Sequence, residues 1–285
     1  WTGFPLNLLY ASGTITTTAT NNSGNTISNS SVLNWFNATT ASSALLLAGG
    51  NTAWTISDNK LFQDALRTYT GAATHYGLQI SNTTGNAFVI TGNTIGHNSS
   101  AGTGLYTTAV SSTTLAVNFV GIALSVGSSA ATSVQNNTIA GFSMTTGATS
   151  TTGTGAWCGI SVTAGAANIG TSAANVLGDN GTGSISVTNS NTASTAVSLV
   201  VGINNSSTAP VTISNNVIGS ITYAGSPTPS VGFRGIQCTG SGTVVVSGNT
   251  IGNTSTSASI SLPTAGNTTY GQSLWGIYNA SSSTA

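Results

Sequence analysis

The phrase VTISNNVIGS at residues 211–220 returns as VVVSGNTIGN at 244–253, as FVITGNTIGH at 88–97 and as TSVQNNTIAG at 132–141. A phrase that recurs while its surroundings change marks one structural unit built repeatedly, and no other feature constrains this chain as much. Aligned on their Asn, the phrases fall at Asn25, Asn59, Asn93, Asn137, Asn175, Asn216 and Asn249, in steps of 33 to 44 residues. Two residues after each comes Ile27, Leu61, Ile95, Ile139, Leu177, Ile218 or Ile251. Three residues before, Ile56, Ile90, Val134, Ile213 and Val246 form a second apolar column.

A second phrase, Gly followed by Ile or Leu, precedes each of the last five corners, at Gly77, Gly121, Gly159, Gly202 and Gly235, and recurs at Gly276. The interval from Gly to Asn is 14 to 16 residues, whereas that from Asn to the next Gly runs from 18 to 28. One half of each unit is nearly constant and the other is free. In the constant half apolar residues alternate, as a strand with one buried face requires. The alternation Val211, Ile213 breaks at Asn215-Asn216, residue types that tolerate the left-handed backbone of a tight turn. Each unit therefore reads as strand, turn, strand, Asn corner, strand and a return arc of variable length. Stacked in register, equivalent strands pair about 4.8 Å apart, inward Ile and Val form columns, and identical Asn amides hydrogen-bond from coil to coil. The expected fold is all-β: a right-handed parallel β-helix of about seven coils forming one domain over residues 1–285.

The pairing of a G-I-x-V-like strand with V-x-I-x-N-N-x-I, at Gly121 to Ile139 and Gly202 to Ile218, resembles the right-handed parallel β-helix repeats of pectate-lyase-like proteins. The Ser-, Thr- and Asn-rich texture with almost no charge looks like the β-helical segments of very long secreted surface proteins, including adhesins of Bacteroidota. The resemblance implies the fold and a place outside the cell or on its surface. It does not select a function, because the same scaffold carries lyases, tailspikes and adhesins.

Charge narrows the function classes. Six residues of 285 are charged, Asp58, Lys60, Asp64, Arg67, Asp179 and Arg234, about 2%, against about a quarter in an ordinary soluble domain. With no basic patch, nucleic acid and anionic membrane lack an electrostatic partner, and no apolar run reaches the roughly 20 residues of a membrane span. A glycosidase needs two carboxyl groups across one bond; the chain has no Glu and three Asp. The best catalytic candidate is SDNKLFQDALR, the Asp58 to Arg67 cluster, which would serve a polysaccharide-binding or polysaccharide-cleaving β-helix. The structural reading of KLFQDALR is a helical turn or two with Asp64 and Arg67 paired at i,i+3, and Asp58 in the turn position before its Asn. Asp179 in GDNGTG offers one carboxylate, too few for calcium. His75 reads as a packing residue and His97 as solvent-facing, neither with a second metal ligand, so no cofactor or metal is expected. Cys158 and Cys238 lie two coils apart, beyond the roughly 7 Å that a disulfide spans between Cα atoms, and are expected free and buried.

Tyr106, Tyr223 and Tyr270 fall in three different arcs, where exposed rings would stack on glycans. The run TITTTAT at 14–20 evokes flat Thr arrays of ice-binding solenoids, against which the uneven coil steps argue. The chain opens on Trp1 and stops just after GIYN, with no polar cap. The expectation is that repeats continue beyond both ends, or that copies stack end to end into a filament. Together these readings favour a non-enzymatic extracellular structural or adhesive solenoid over a polysaccharide-acting enzyme.

Overall fold

The computed structural model describes residues 4–14, 20–150, 152–178, 184–192, 197–225, 230–252, 259–262 and 272–281. It is a right-handed parallel β-helix, and no α-helix occurs among the described residues. Four long sheets of eight, seven, seven and six strands run along the stack, and a fifth joins Asn22–Ser23 to Asn51–Thr52. Each full coil contributes a strand to each of the four long sheets in turn.

The eight-stranded long sheet collects strands such as Ala73–Asn82, Val117–Val126, Trp157–Ala164, Val197–Asn205 and Ser230–Cys238. A pre-corner sheet contains Val89–Thr91 and Val211–Ser214, and a post-corner sheet contains Thr94–Gly96 and Val217–Ile218. The fourth sheet contains Arg67–Tyr69, Tyr106–Val110, Phe142–Thr146, Ile185–Asn189 and Ile221–Gly225. This last sheet corrects the three-strand coil expected from the sequence: a fourth strand occupies what read as free arc. It also replaces the helical turn expected at KLFQDALR, where Lys60–Phe62 and Arg67–Tyr69 are strands.

The Gly phrase has a packing cause. At GI the inward alternation changes phase: Val117 and Phe119, then Gly121 itself, face the core, and Ile122 and Leu124 take over directly after it. A Cβ on Gly121 would lie 2.6 Å from the Gly159 carbonyl and 2.8 Å from Ile139 Cδ1. Gly159, Gly202 and Gly235 face Leu177, Ile218 and Ile251 in the same way. The column of Ile and Leu two residues past the corner is thus seated on the Gly column. Each such side chain, withdrawn fully from water, contributes about 1.5–3 kcal/mol.

Aromatic rings fill the interior of the middle coils. Tyr106 lies 5.3 Å from Phe142 and 5.6 Å from Phe119, and Phe142 lies 5.9 Å from Trp157, all in tilted or edge-to-face geometry. His75 occupies the Phe119 column, stacked on Tyr69 at 4.1 Å, with Nδ1 2.9 Å from Ser42 Oγ. Burial holds its pKa down at about 4.

Candidate functional site

The Asn corner is the best-defined constellation. Nδ2 of Asn59 donates to Oδ1 of Asn93 at 3.0 Å, and the contact repeats at 2.9 Å from Asn93 to Asn137, Asn137 to Asn175, Asn175 to Asn216 and Asn216 to Asn249. The same Nδ2 groups also donate to a carbonyl below, Asn137 to Ile90 and Asn216 to Ile169, while Oδ1 of Asn93, Asn137, Asn175 and Asn249 also accepts the backbone N–H of the preceding corner Asn. Every amide is therefore satisfied without water, which removes a cost of about 1–3 kcal/mol per orphaned buried group. The residue before the corner takes the left-handed turn: Asp58, Asn136 and Asn215 have φ of 57°, 54° and 60°, and Gly92 and Gly248 have 69° and 64°.

Asn25 does not belong to this row. Thr26, Ile27 and Ser28 pair with Thr55, Ile56 and Ser57, so the residue equivalent to Asn59 is Ser30, whose backbone N–H donates to Asn59 Oδ1 at 3.1 Å. The first step is 29 residues, shorter than the sequence reading allowed. In the fifth corner Ile169, not residue 172, takes the inward position, because extra residues bulge between it and Asn175. The row side chains from Asn59 to Asn216 are turned fully into the stack, whereas the turn residues Asp58, Asn136 and Asn215 are exposed.

The Asp58 to Arg67 segment does not converge on one point. Asp58 is spent on the left-handed turn, and Lys60 Nζ donates to Thr94 Oγ1 at 2.9 Å. Arg67, 5% exposed, donates to Gln63 Oε1 at 2.7 Å and to Asn34 Oδ1, with its guanidinium 4.1 Å from the centre of the Phe4 ring. Burial lowers its pKa, and Asp64 at 3.6 Å acts in the opposite direction. The segment ties down the early coils.

Tyr106 and Tyr223, expected as exposed glycan contacts, are core residues with 1% exposure. They stand on inward positions of the fourth sheet, in columns with Phe142 and Val187. Tyr270 and Asp179 lie outside the described residues. His97 is half-exposed, its Nδ1 3.2 Å from the Gly104 carbonyl. Cys158 and Cys238 are free and buried; burial pushes the Cys238 thiol up to about 11 and that of Cys158 further. Among the described residues no three His, Cys, Asp or Glu side chains gather as a metal would require.

Sequence reasoning missed the site with the clearest shape. On the outer face of the long sheet one row runs Gln79, Ala123, Ser161, Asn204 and Gln237 through successive coils. Over the later coils the loop before Trp157 lies across it. Gln237 Nε2 donates to the Gly153 carbonyl at 3.0 Å and to Asn204 Oδ1 at 2.8 Å, and Asn204 Nδ2 donates to Ser161 Oγ at 3.1 Å. Ser161, Asn204 and Gln237 are each at most 1% exposed. Beneath the loop, Val120, Cys158, Leu199 and Val201 form a small second apolar cluster, with Tyr76 and Ala123 at its margin. Beside Thr154 of this loop, the row opens into a groove of about 250 Å³ lined by Tyr76, Val120, Gln79 and Ala123 together with Ser81, Ser125 and Thr163. No acidic or basic side chain lines it. Comparisons with protein-family models, with curated proteins and with solved structures return no match to this chain.

Proposed function

We propose that this chain is a non-enzymatic structural and adhesive solenoid of a cell surface: a stiff stalk or fibre element whose flanks carry contacts to other molecules. The observation that supports the reading most is the amide row at the corner, unbroken from Asn59 to Asn249. A row in which every hydrogen-bonding group is consumed within the stack serves rigidity, and it leaves nothing for chemistry. Four of the six charges fall between Asp58 and Arg67, in contacts that hold the early coils rather than flank a cleft. The resemblance of the repeat to segments of large secreted adhesins supports the surface location.

The outermost described rungs carry exposed apolar side chains. Phe4, Leu6, Leu8 and Tyr10 at one end, and Leu274, Trp275 and Ile277 at the other, are 37% to 60% exposed. The test is electron microscopy and intact mass of the native material, together with turnover assays on neutral and acidic polysaccharides. Elongated particles and no released product are expected. Product release that disappears in Asp58→Ala or Asp64→Ala would overturn the reading in favour of an enzyme.

A further inference from the structure

We infer that the open part of the outer groove, across the strands Ala73–Asn82, Val117–Val126 and Trp157–Ala164, binds an uncharged saccharide chain. The inference rests on the adhesive reading above and gives it a ligand class and a place.

Chemistry selects the class. The polar groups facing the groove are hydroxyls and the Gln79 amide, groups that both donate and accept, as sugar hydroxyls do. Gln79 is already oriented, its Oε1 accepting from Ser43 Oγ at 2.9 Å, which leaves its N–H donors for the groove. An anionic sugar or a phosphate would find no cation in the lining, and its desolvation would go uncompensated. Tyr76, at the margin of the second apolar cluster, supplies ring surface for the apolar face of a sugar.

Topology argues against an extended peptide. Peptides that bind sheets add a strand at a free edge. Here the strand Ala73–Asn82 pairs with Ser43–Leu47 on one side and Val117–Val126 on the other, and Val117–Val126 pairs onward with Trp157–Ala164. No backbone edge is offered inside the groove. The volume, about 250 Å³, is below the roughly 300 Å³ at which pockets begin to enclose a drug-sized molecule. It therefore takes a short stretch of a longer chain.

The experiment is titration calorimetry of the full chain with cello-, manno- and malto-oligosaccharides as neutral probes and oligogalacturonate as the acidic one. At least one neutral probe is expected to bind, with an affinity unchanged between low and high salt because no ion pair forms. Tyr76→Ala and Gln79→Ala should each weaken it by about tenfold, equivalent to about 1.4 kcal/mol. Val245→Ser, on the exposed face of the pre-corner sheet, should leave it unchanged. Three results would each overturn the groove assignment: no binding of any neutral probe, preference for oligogalacturonate with salt dependence, or full binding by Tyr76→Ala. Hydrolysis or elimination of a bound probe would instead overturn the non-enzymatic reading while leaving the groove in place.

Discussion

Two rows of amide side chains run along this molecule, and they differ in what surrounds them. At the corner, Asn59 to Asn249 are the same residue in six successive coils, and each spans from the coil above to the coil below. On the outer face of the long sheet the row is mixed, Gln79, Ala123, Ser161, Asn204 and Gln237, and only its later members are covered and bonded. Identity produces register: with one spacing and one residue, no partial slip leaves every amide satisfied. Variety produces a surface whose hydrogen-bonding capacity is used in one half and open in the other. The first row is therefore suited to bearing load and the second to recognition.

The largest effect should come from breaking the identical row. Asn137→Ala removes the acceptor of the Asn93 backbone N–H and amide, and the amide donor to Asn175 Oδ1 and to the Ile90 carbonyl, deep in the stack. A loss of about 3 kcal/mol or more is expected in urea unfolding, from several orphaned buried groups. A loss under about 1 kcal/mol would mean that the row follows register rather than setting it.

The inward side of the same long strands gives the next effect. His75 takes its proton at about 4 in the folded chain, against 6.5 ordinarily, so the unfolded chain binds the proton first on acidification. Stability is held above pH 6.5 and declines as the pH falls from 6.5 toward 4, by up to about 3 kcal/mol. His75→Phe, matching Phe119 in the next coil, should flatten that slope.

Breaking the mixed row should cost less, because water can enter from outside. Gln237→Ala frees the Gly153 carbonyl and Asn204 Oδ1 and is expected to lose about 1–2 kcal/mol. Native-state alkylation of Cys158, now buried beneath the loop, should accelerate, which a purely global destabilisation of the same size would produce equally at Cys238. The smallest effect is a gain. Ser30→Asn would add an amide where the first coil lacks one, and about 1 kcal/mol of stabilisation in thermal unfolding is expected.

The repeat, the parallel stacking and the amide row were legible because they depend on spacing and residue type alone. The register of the first coil was not. GNTI at 24–27 has the same letters as GNTI at 92–95 and 248–251, yet it sits one sheet earlier. The better signal was TIS at 26–28 repeated at 55–57. The fourth sheet had a signal too, the alternating pairs Phe142 and Met144, Ile185 and Val187, Ile221 and Tyr223. Variable spacing hid it, and with it the burial of the two tyrosines. Uneven coil steps do not disturb the corner sheets, since nearly all the length difference is taken up elsewhere. The argument from uneven steps against a flat hydroxyl array therefore fails for this face. The outward pre-corner column, Thr55, Val89, Ser133, Asn168, Thr212 and Val245, is chemically mixed instead. The groove was illegible because outward polar residues obey no periodic constraint that distinguishes a wall from ordinary surface.

The corner row also has a direction. From Asn59 to Asn216 each Nδ2 donates to the Oδ1 of the later coil as well as to a carbonyl of the earlier one, and each Oδ1 from Asn93 to Asn249 accepts from the earlier coil. These amide dipoles add along the axis instead of cancelling, in a chain whose formal net charge is zero. The row is thus polar along its axis, with oxygen toward the first coil and nitrogen toward the last. A rung joining the late side continues the pattern by presenting a carbonyl, and one joining the early side by presenting an N–H, as Ser30 does. Two late faces brought together would set donors against donors. Any further coil laid on this row would therefore meet complementary groups only head to tail, an arrangement with no two-fold stopping point.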